Sequence, residues 1–154
     1  MTKKNNIVLR AMVKEDYEQV HALWERMSGF AVRSLDDSYP YVARFLQRNP
    51  TTSVVALDGD KIVGSILCGH DGRQATFYHV CVEPEYRKHG LGHTMVRFCL
   101  AALVEEGISK AMLVAFNDNE GGNAFWKSIG WTPREDLNSY EFMLNKENIL
   151  HYVD

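Results

Sequence analysis

One segment constrains this chain more than any other: Val80-Cys81-Val82-Glu83-Pro84-Glu85-Tyr86-Arg87-Lys88-His89-Gly90-Leu91-Gly92. An apolar β-type run ends at a proline, passes through a cationic glycine loop, and enters a stretch of helical spacing. Leu91, Met95, Phe98, Cys99 and Ala102 form that stripe, and Gly107 stops it after about Glu106. A helix start leaves backbone N–H groups unpaired and carries partial positive charge. Gly90 and Gly92 remove side chains where a ligand would touch the backbone, and Arg87 and Lys88 add cationic charge. Such a unit suits a phosphate or pyrophosphate. A dinucleotide fingerprint would need a glycine where Met95 stands, and a Walker loop would need Gly-Lys-Ser or Gly-Lys-Thr, so neither applies. From the loop alone, a turn that uses glycine only for its backbone stays open.

The rest of the chain supplies alternating elements. Residues 7–10 read as a strand and 15–27 as a helix with Tyr17, Val20, Leu23, Trp24 and Met27 near one face. Residues 33–38 are polar and read as a loop. A second helix is expected over 40–47, ended by Asn49-Pro50. Strands follow at 53–57, 61–68 and 74–82, separated by Asp58-Gly59 and by Gly69-His70-Asp71-Gly72-Arg73. After the 91–106 helix come a strand at 110–116, a short helix at 119–129 stopped by Gly130, and a last strand at 140–144. Each helical stripe needs a sheet face to cover. The economical packing is an α/β (α+β) fold, with a mixed, mostly antiparallel central sheet and helices on both faces.

Size and charge narrow the function classes. A length of 154 residues suits one domain spanning 1–154. The net charge of −3 argues against nucleic acid and anionic membrane as partners. No apolar run approaches the ~20 residues of a membrane span, and the basic start leads into too short an apolar core for a signal peptide. A cytoplasmic location is expected. Cys68, Cys81 and Cys99 are odd in number and lie in apolar contexts, which reads as buried thiols. His89 and His93 stand four apart without a third ligand at a recognisable spacing, so no metal is expected.

The pattern Val80-x-Val82-x-Pro84-x-Tyr86-Arg87-x-x-Gly90-x-Gly92 resembles the coenzyme-binding motif of the GNAT superfamily, the acyl-CoA-dependent N-acetyltransferases. Downstream, Asn119 with Gly122, Phe125, Trp126, Gly130 and Trp131 is similar to the family's Asn-x-x-Ala-x-x-Leu-Tyr-x-x-x-Gly-Phe segment. The element order also matches from Ile7 to Leu144. The resemblance implies a GNAT fold, acetyl-CoA as cosubstrate and a primary amine as acceptor. It implies that the backbone N–H groups of His89, Gly90, Leu91 and Gly92 bind the pyrophosphate, with Arg87, Lys88 and His93 also at the coenzyme. The pantetheine arm would pair with Val80, Cys81 and Val82 where the family splays its sheet, and Asn119, Asn123 and Trp126 would border the coenzyme from the later helix.

In such enzymes the amine attacks the thioester and must be neutral to do so, which calls for a proton path. Some relatives use a glutamate; the matching positions here, Thr76 and Val114, cannot take a proton. His79, on the strand beside the acetyl group, is the candidate base. A structural histidine and a water relay are the competing readings. Many relatives carry a tyrosine at Trp126 as the acid for the leaving thiolate; an indole N–H cannot give up its proton, so this group acts here through its area. Candidate acceptor contacts are Arg33 and Asp36 on the loop Arg33-Ser34-Leu35-Asp36-Asp37, and His70, Asp71 and Arg73 on a hairpin expected to face it, with Glu25 of the first helix as a further border and Trp24 read rather as core; two solvated loops are the competing reading. An arginine with an aspartate would suit a small amino-acid-like amine. A protein N-terminal or lysine acetyltransferase and a weak acyl-CoA-binding module are the alternatives, and a homodimer is left open.

Overall fold

The computed structural model describes residues 6–154; the rest of the basic start lies outside them. In chain order the elements are β1 (Ile7–Ala11), α1 (Tyr17–Glu25), β2 (Ala31–Arg33), α2 (Tyr39–Arg48), β3 (Val54–Asp58), β4 (Lys61–His70), β5 (Ala75–Val82), α3 (Leu91–Glu105), β6 (Ala111–Met112), α4 (Glu120–Ser128) and β7 (Leu150–Tyr152). Five strands form one sheet in the order β1-β3-β4-β5-β6, antiparallel except for the parallel β5–β6 pair. β2 and β7 form a separate antiparallel ribbon.

Strand alternation divides the core in two. Val55, Ile62, Leu67 and Cys81 face α1 and α2 with Val20, Leu23, Trp24, Val42 and Leu46. Val54, Ala56, Val63, Ile66, Ala75, Phe77 and Val82 face α3 with Met95, Val96, Cys99 and Leu103, and Phe125 and Trp126 of α4 pack on the same side. Helices therefore cover both faces, as the alternating apolar pattern requires. A bidentate pair locks the start of α1. Arg10 donates to both carboxylate oxygens of Asp16 at 2.8 Å, and Asp16 accepts the Val13 N–H at 2.9 Å.

β5 contains the irregularity that matters. Tyr78 stands opposite Leu67 and Cys81 opposite Ser65, so His79 and Val80 together oppose the single residue Ile66. This is a β-bulge. Phe77 faces the α3 side, Tyr78 meets Phe45 of α2, and His79 meets Trp24 of α1. Two consecutive side chains thus turn to one face, and His79 adopts a left-handed φ of +49° to do so.

Three expectations change. The strand read over 110–116 pairs only at Ala111 and Met112, because the chain then diverges from β5. Residues 140–144 form no strand; Tyr140, Phe142 and Leu144 are 89%, 86% and 93% exposed, so the alternation there meets no sheet face. The polar stretch that begins at Arg33 is part strand, because β7 comes back to pair with β2.

Gly69 on β4 lies against α2. A Cβ there would stand 2.6 Å from the Phe45 ring and 2.7 Å from the Asn49 amide, and Asn49 accepts the His70 N–H at 2.9 Å. Gly69→Ala is expected to cost about 1–3 kcal/mol by overpacking, read as a lowered midpoint in urea unfolding.

Candidate functional site

Two features meet along β5. The first is an open edge. β6 pairs with β5 only at Ala75 and Thr76, so among the described residues no strand covers that side of β5 from Phe77 to Val82. The second lies at the start of α3. Gly90 is left-handed at φ +81°, no side chain caps it, and the first bond into the helix is Thr94 N–H to the Gly90 carbonyl at 3.0 Å. The N–H groups of the first turn are thus free of intrahelical acceptors. A Cβ on Gly90 would meet nothing within 4 Å, so the loop is open at that residue, whereas one on Gly92 would meet the Phe125 ring at 3.4 Å. Lys88, His89 and His93 are exposed around Gly90. The donor set and the cleared backbone fit an anionic phosphate group.

Arg87 has a different setting. Its Nε donates to the Val82 carbonyl at 2.8 Å, and a terminal nitrogen lies 3.4 Å from the Met27 sulfur. Tyr86 donates its hydroxyl to Asp58, and Arg26 pairs with the buried Glu83. These contacts hold the loop between β5 and α3. Leu91 and Val80 are half-buried on the α3 side. The Cys81 and Val82 backbones pair with Ser65 and Gly64, and burial pushes the Cys81 thiol up to about 12. Such a thiol is inert as a nucleophile. All three cysteines are free and buried.

Asn119 caps α4 by accepting the Gly122 N–H at 3.0 Å. Asn123 donates to the carbonyls of Phe116 at 3.0 Å and Asn119 at 2.9 Å. Their amides hold the start of α4. Trp126 packs edge-on to Phe77 of β5 and against Trp131 at 4.8 Å.

On the other face, His79 enters a polar cluster. Its Nε2 lies 2.8 Å from Asp37 Oδ1, and its ring contacts Trp24 at 4.5 Å and Phe30 at 5.5 Å. Asp37 is only 6% exposed. Its Oδ2 accepts the Arg33 backbone N–H at 2.6 Å, and its own carbonyl accepts the Tyr17 hydroxyl at 2.7 Å. Asp37 also borders a cavity of about 530 Å³ between α1, the β2–α2 loop and β7. Tyr17, His21 and Glu25 line it from α1, Arg33, Ser34 and Tyr39 from the β2–α2 region, and His151 from β7.

The structure sorts the acceptor candidates. Arg33 lines the cavity; one guanidinium nitrogen donates to the Asn148 carbonyl at 3.2 Å. Asp36 turns outward and accepts from Asn148 at 2.9 Å, while its neighbour Asp37 turns inward. The hairpin does not face Arg33. His70 is tied to Asn49 at the far end of α2 and lies 3.8 Å from Glu106. The ten residues of α2 separate the hairpin from Tyr39 at the cavity by about 15 Å at helical rise. Asp71 accepts the Arg73 and Gln74 N–H groups, which hold its carboxyl below the usual range, and Arg73 is exposed. Glu25 of α1 and Asp37 of the loop do line the cavity with Arg33, and Tyr17 is the lining side chain that motif reading passed over. The signal for Asp37 was its place beside Asp36 in the loop, which does not say which of the two turns inward.

The acetyltransferase (GNAT) family model matches residues 17–131, from α1 to just past α4. The chain belongs to the GNAT family. It is a GNAT N-acetyltransferase, and its relatives include proteins described as acetyltransferases. An acetyltransferase of Sodalis glossinidius is 26% identical over 129 residues, 84% of this chain and 89% of that one. The PaiA N-acetyltransferase of Thermoplasma acidophilum in complex with coenzyme A superposes with a TM-score of 0.67 at 16% identity, covering 80% of this chain and 87% of that one. The aminoglycoside acetyltransferase AAC(6')-Iy, in complex with a bisubstrate analogue, gives 0.69 at 14% identity over 90% of this chain and 99% of that one. Among the described residues of this GNAT chain, no helix is long and apolar enough to cross a membrane, and no group of three or more His, Cys, Asp or Glu is placed to hold a metal ion.

Trp126 is half-buried among aromatic rings. Trp126→Phe is expected to keep kcat within roughly tenfold, about 1.4 kcal/mol of barrier. Trp126→Ala should lose about 2–3 kcal/mol of stability, below the cost of truncating a fully buried ring. Thermal unfolding and steady-state kinetics on the two variants check both numbers.

Proposed function

We propose that this GNAT enzyme transfers the acetyl group of acetyl-CoA to the primary amine of a small amino-acid-like molecule. The observation that carries the reading is the lining of the cavity beside α1, which gathers the Arg33 guanidinium and the Glu25 and Asp37 carboxylates around about 530 Å³. Opposite charges around one open cavity match a molecule with a carboxylate and an amine. Asp37 touches both that cavity and His79, so the acceptor amine would arrive next to the strand that borders the open edge. Structural neighbours described as aminoglycoside acetyltransferases act on small amines, which agrees with a small-molecule acceptor.

Acetyl-CoA supplies an activated thioester; the protein supplies position and a proton path. The first-turn N–H groups of α3, with Gly90, Leu91 and Gly92, would hold the pyrophosphate, aided by Lys88, His89 and His93. The open edge of β5, from Val80 to Val82, would pair with the pantetheine amides. Arg87 would act by fixing the loop through the Val82 carbonyl, and Asn119, Asn123 and Trp126 by building the wall opposite. His79 would accept the amine proton, consistent with its partial exposure and its partner Asp37. Asp36, His70, Asp71 and Arg73 would then contribute only through loop shape. The buried free thiols suit a reducing, cytoplasmic setting.

The experiment is a panel of amines with acetyl-CoA, read as free CoA released. Turnover of amino acids or their simple derivatives supports the reading. Turnover confined to peptides or to polyamines defeats it. Arg33→Ala should raise the acceptor KM at least tenfold and leave coenzyme affinity nearly intact. Gly90→Val should weaken CoA binding by well over ~10-fold, or ~1.4 kcal/mol, by calorimetric titration of the folded variant. The new side chain would occupy the space in front of the helix donors.

A further inference from the structure

We infer that Asp37 is the positioning residue that fixes the tautomer of His79, keeping the proton on Nε2 and the lone pair on Nδ1. The inference rests on the reading of His79 as the proton acceptor, and it concerns which ring nitrogen does the work.

The argument is one of donors and acceptors. An ionised carboxylate only accepts hydrogen bonds. Asp37 Oδ2 is occupied by the Arg33 backbone N–H at 2.6 Å, and Oδ1 faces His79 Nε2 at 2.8 Å. Nε2 must therefore carry a hydrogen, and in the neutral ring the lone pair falls on Nδ1. Nδ1 has no hydrogen-bond partner among the described residues, so it is unspent. The ring has little freedom to swap its nitrogens. Trp24 and Phe30 pack against it, and its backbone is pinned in the bulge at φ +49°. Asp37 is fixed as firmly. Its N–H donates to the Arg33 carbonyl at 3.2 Å, and the Tyr17 hydroxyl holds its own carbonyl.

This arrangement predicts what asparagine would do at position 37. Asparagine offers one oxygen to two donors. The Arg33 backbone N–H cannot turn away, so it keeps the oxygen, and the amide NH₂ is left facing His79 Nε2. A donor there drives the ring proton onto Nδ1 and removes the lone pair from the working nitrogen. An aspartate that orients a catalytic imidazole elsewhere fails in the same way when amidated.

The test is nitrogen NMR of protein labelled with ¹⁵N-histidine, in alkaline buffer where an ordinary imidazole is neutral, combined with kinetics. His79→Gln identifies the His79 signals among the six histidines. The wild type should show a protonated Nε2 and a bare Nδ1 at His79, and Asp37→Asn should reverse them. Asp37→Asn and His79→Gln should each lower kcat roughly 10²-fold, and the double variant should be no slower than His79→Gln alone. A wild-type ring with its proton on Nδ1 overturns the inference without needing any variant of Asp37 to fold. Losses that multiply in the double variant overturn it as well, while leaving His79 as the base. An unchanged kcat in His79→Gln removes the histidine from the reaction and overturns both readings.

Discussion

β5 has one residue more than β4 can pair with. Opposite Ile66 it places both His79 and Val80, and the surplus is absorbed by turning His79 into a left-handed backbone. That conformation costs a non-glycine residue about 1–3 kcal/mol, so the surroundings must hold it. The Asp37 hydrogen bond and the Trp24 and Phe30 rings do so. The bulge turns a histidine from the α3 side of the sheet to the α1 side, where it meets the carboxylate of Asp37, which in turn borders the cavity. On the other edge of the same strand, pairing with β6 stops at Thr76. The irregular half of β5 is therefore also its open half.

The two faces of the sheet divide the work. Backbone N–H groups without intrahelical acceptors lie at the start of α3, and α4 packs on the same side of the sheet. The charged cavity lies beside α1 and is lined on another side by β2 and β7. Neither face alone has both, and β5 is the strand common to them. The β2–β7 ribbon matters because it forms one wall. Asn148 reaches back to Asp36 and to the Leu35 and Asp36 N–H groups, which orders the loop that presents Arg33 and Asp37.

Much of this was legible in residues. Helical stripes at Tyr17–Glu25 and Leu91–Glu105, the strand runs before and after Asp58-Gly59, and the stop at Gly130 are local patterns, and local patterns survive folding. The motif from Val80 to Gly92 pointed to an acyl-CoA enzyme, and the family match bears that out. The hairpin at Gly69 to Arg73 was also seen as a hairpin. That it ends at the far end of α2 from Arg33 was not visible, because loop-to-loop distance depends on how the helix lies across the sheet. Residues 140–144 alternate like a strand, yet alternation only describes a surface that could pair; it does not supply the partner.

The sequence by itself determined the main helices and the β3–β5 strand runs, the glycine turn at Gly90, the cationic loop, and the presence of a histidine on the strand before it. These follow from side-chain volume, charge and backbone freedom at single positions. Only the tertiary structure decided that Asp37 rather than Asp36 turns inward, that His79 crosses to the α1 face, and that Glu25 joins Arg33 around one cavity. Each of these depends on a strand register or on a helix packing angle. A shift of one residue along β5 would send every following side chain to the opposite face, and no single residue type announces where that shift occurs.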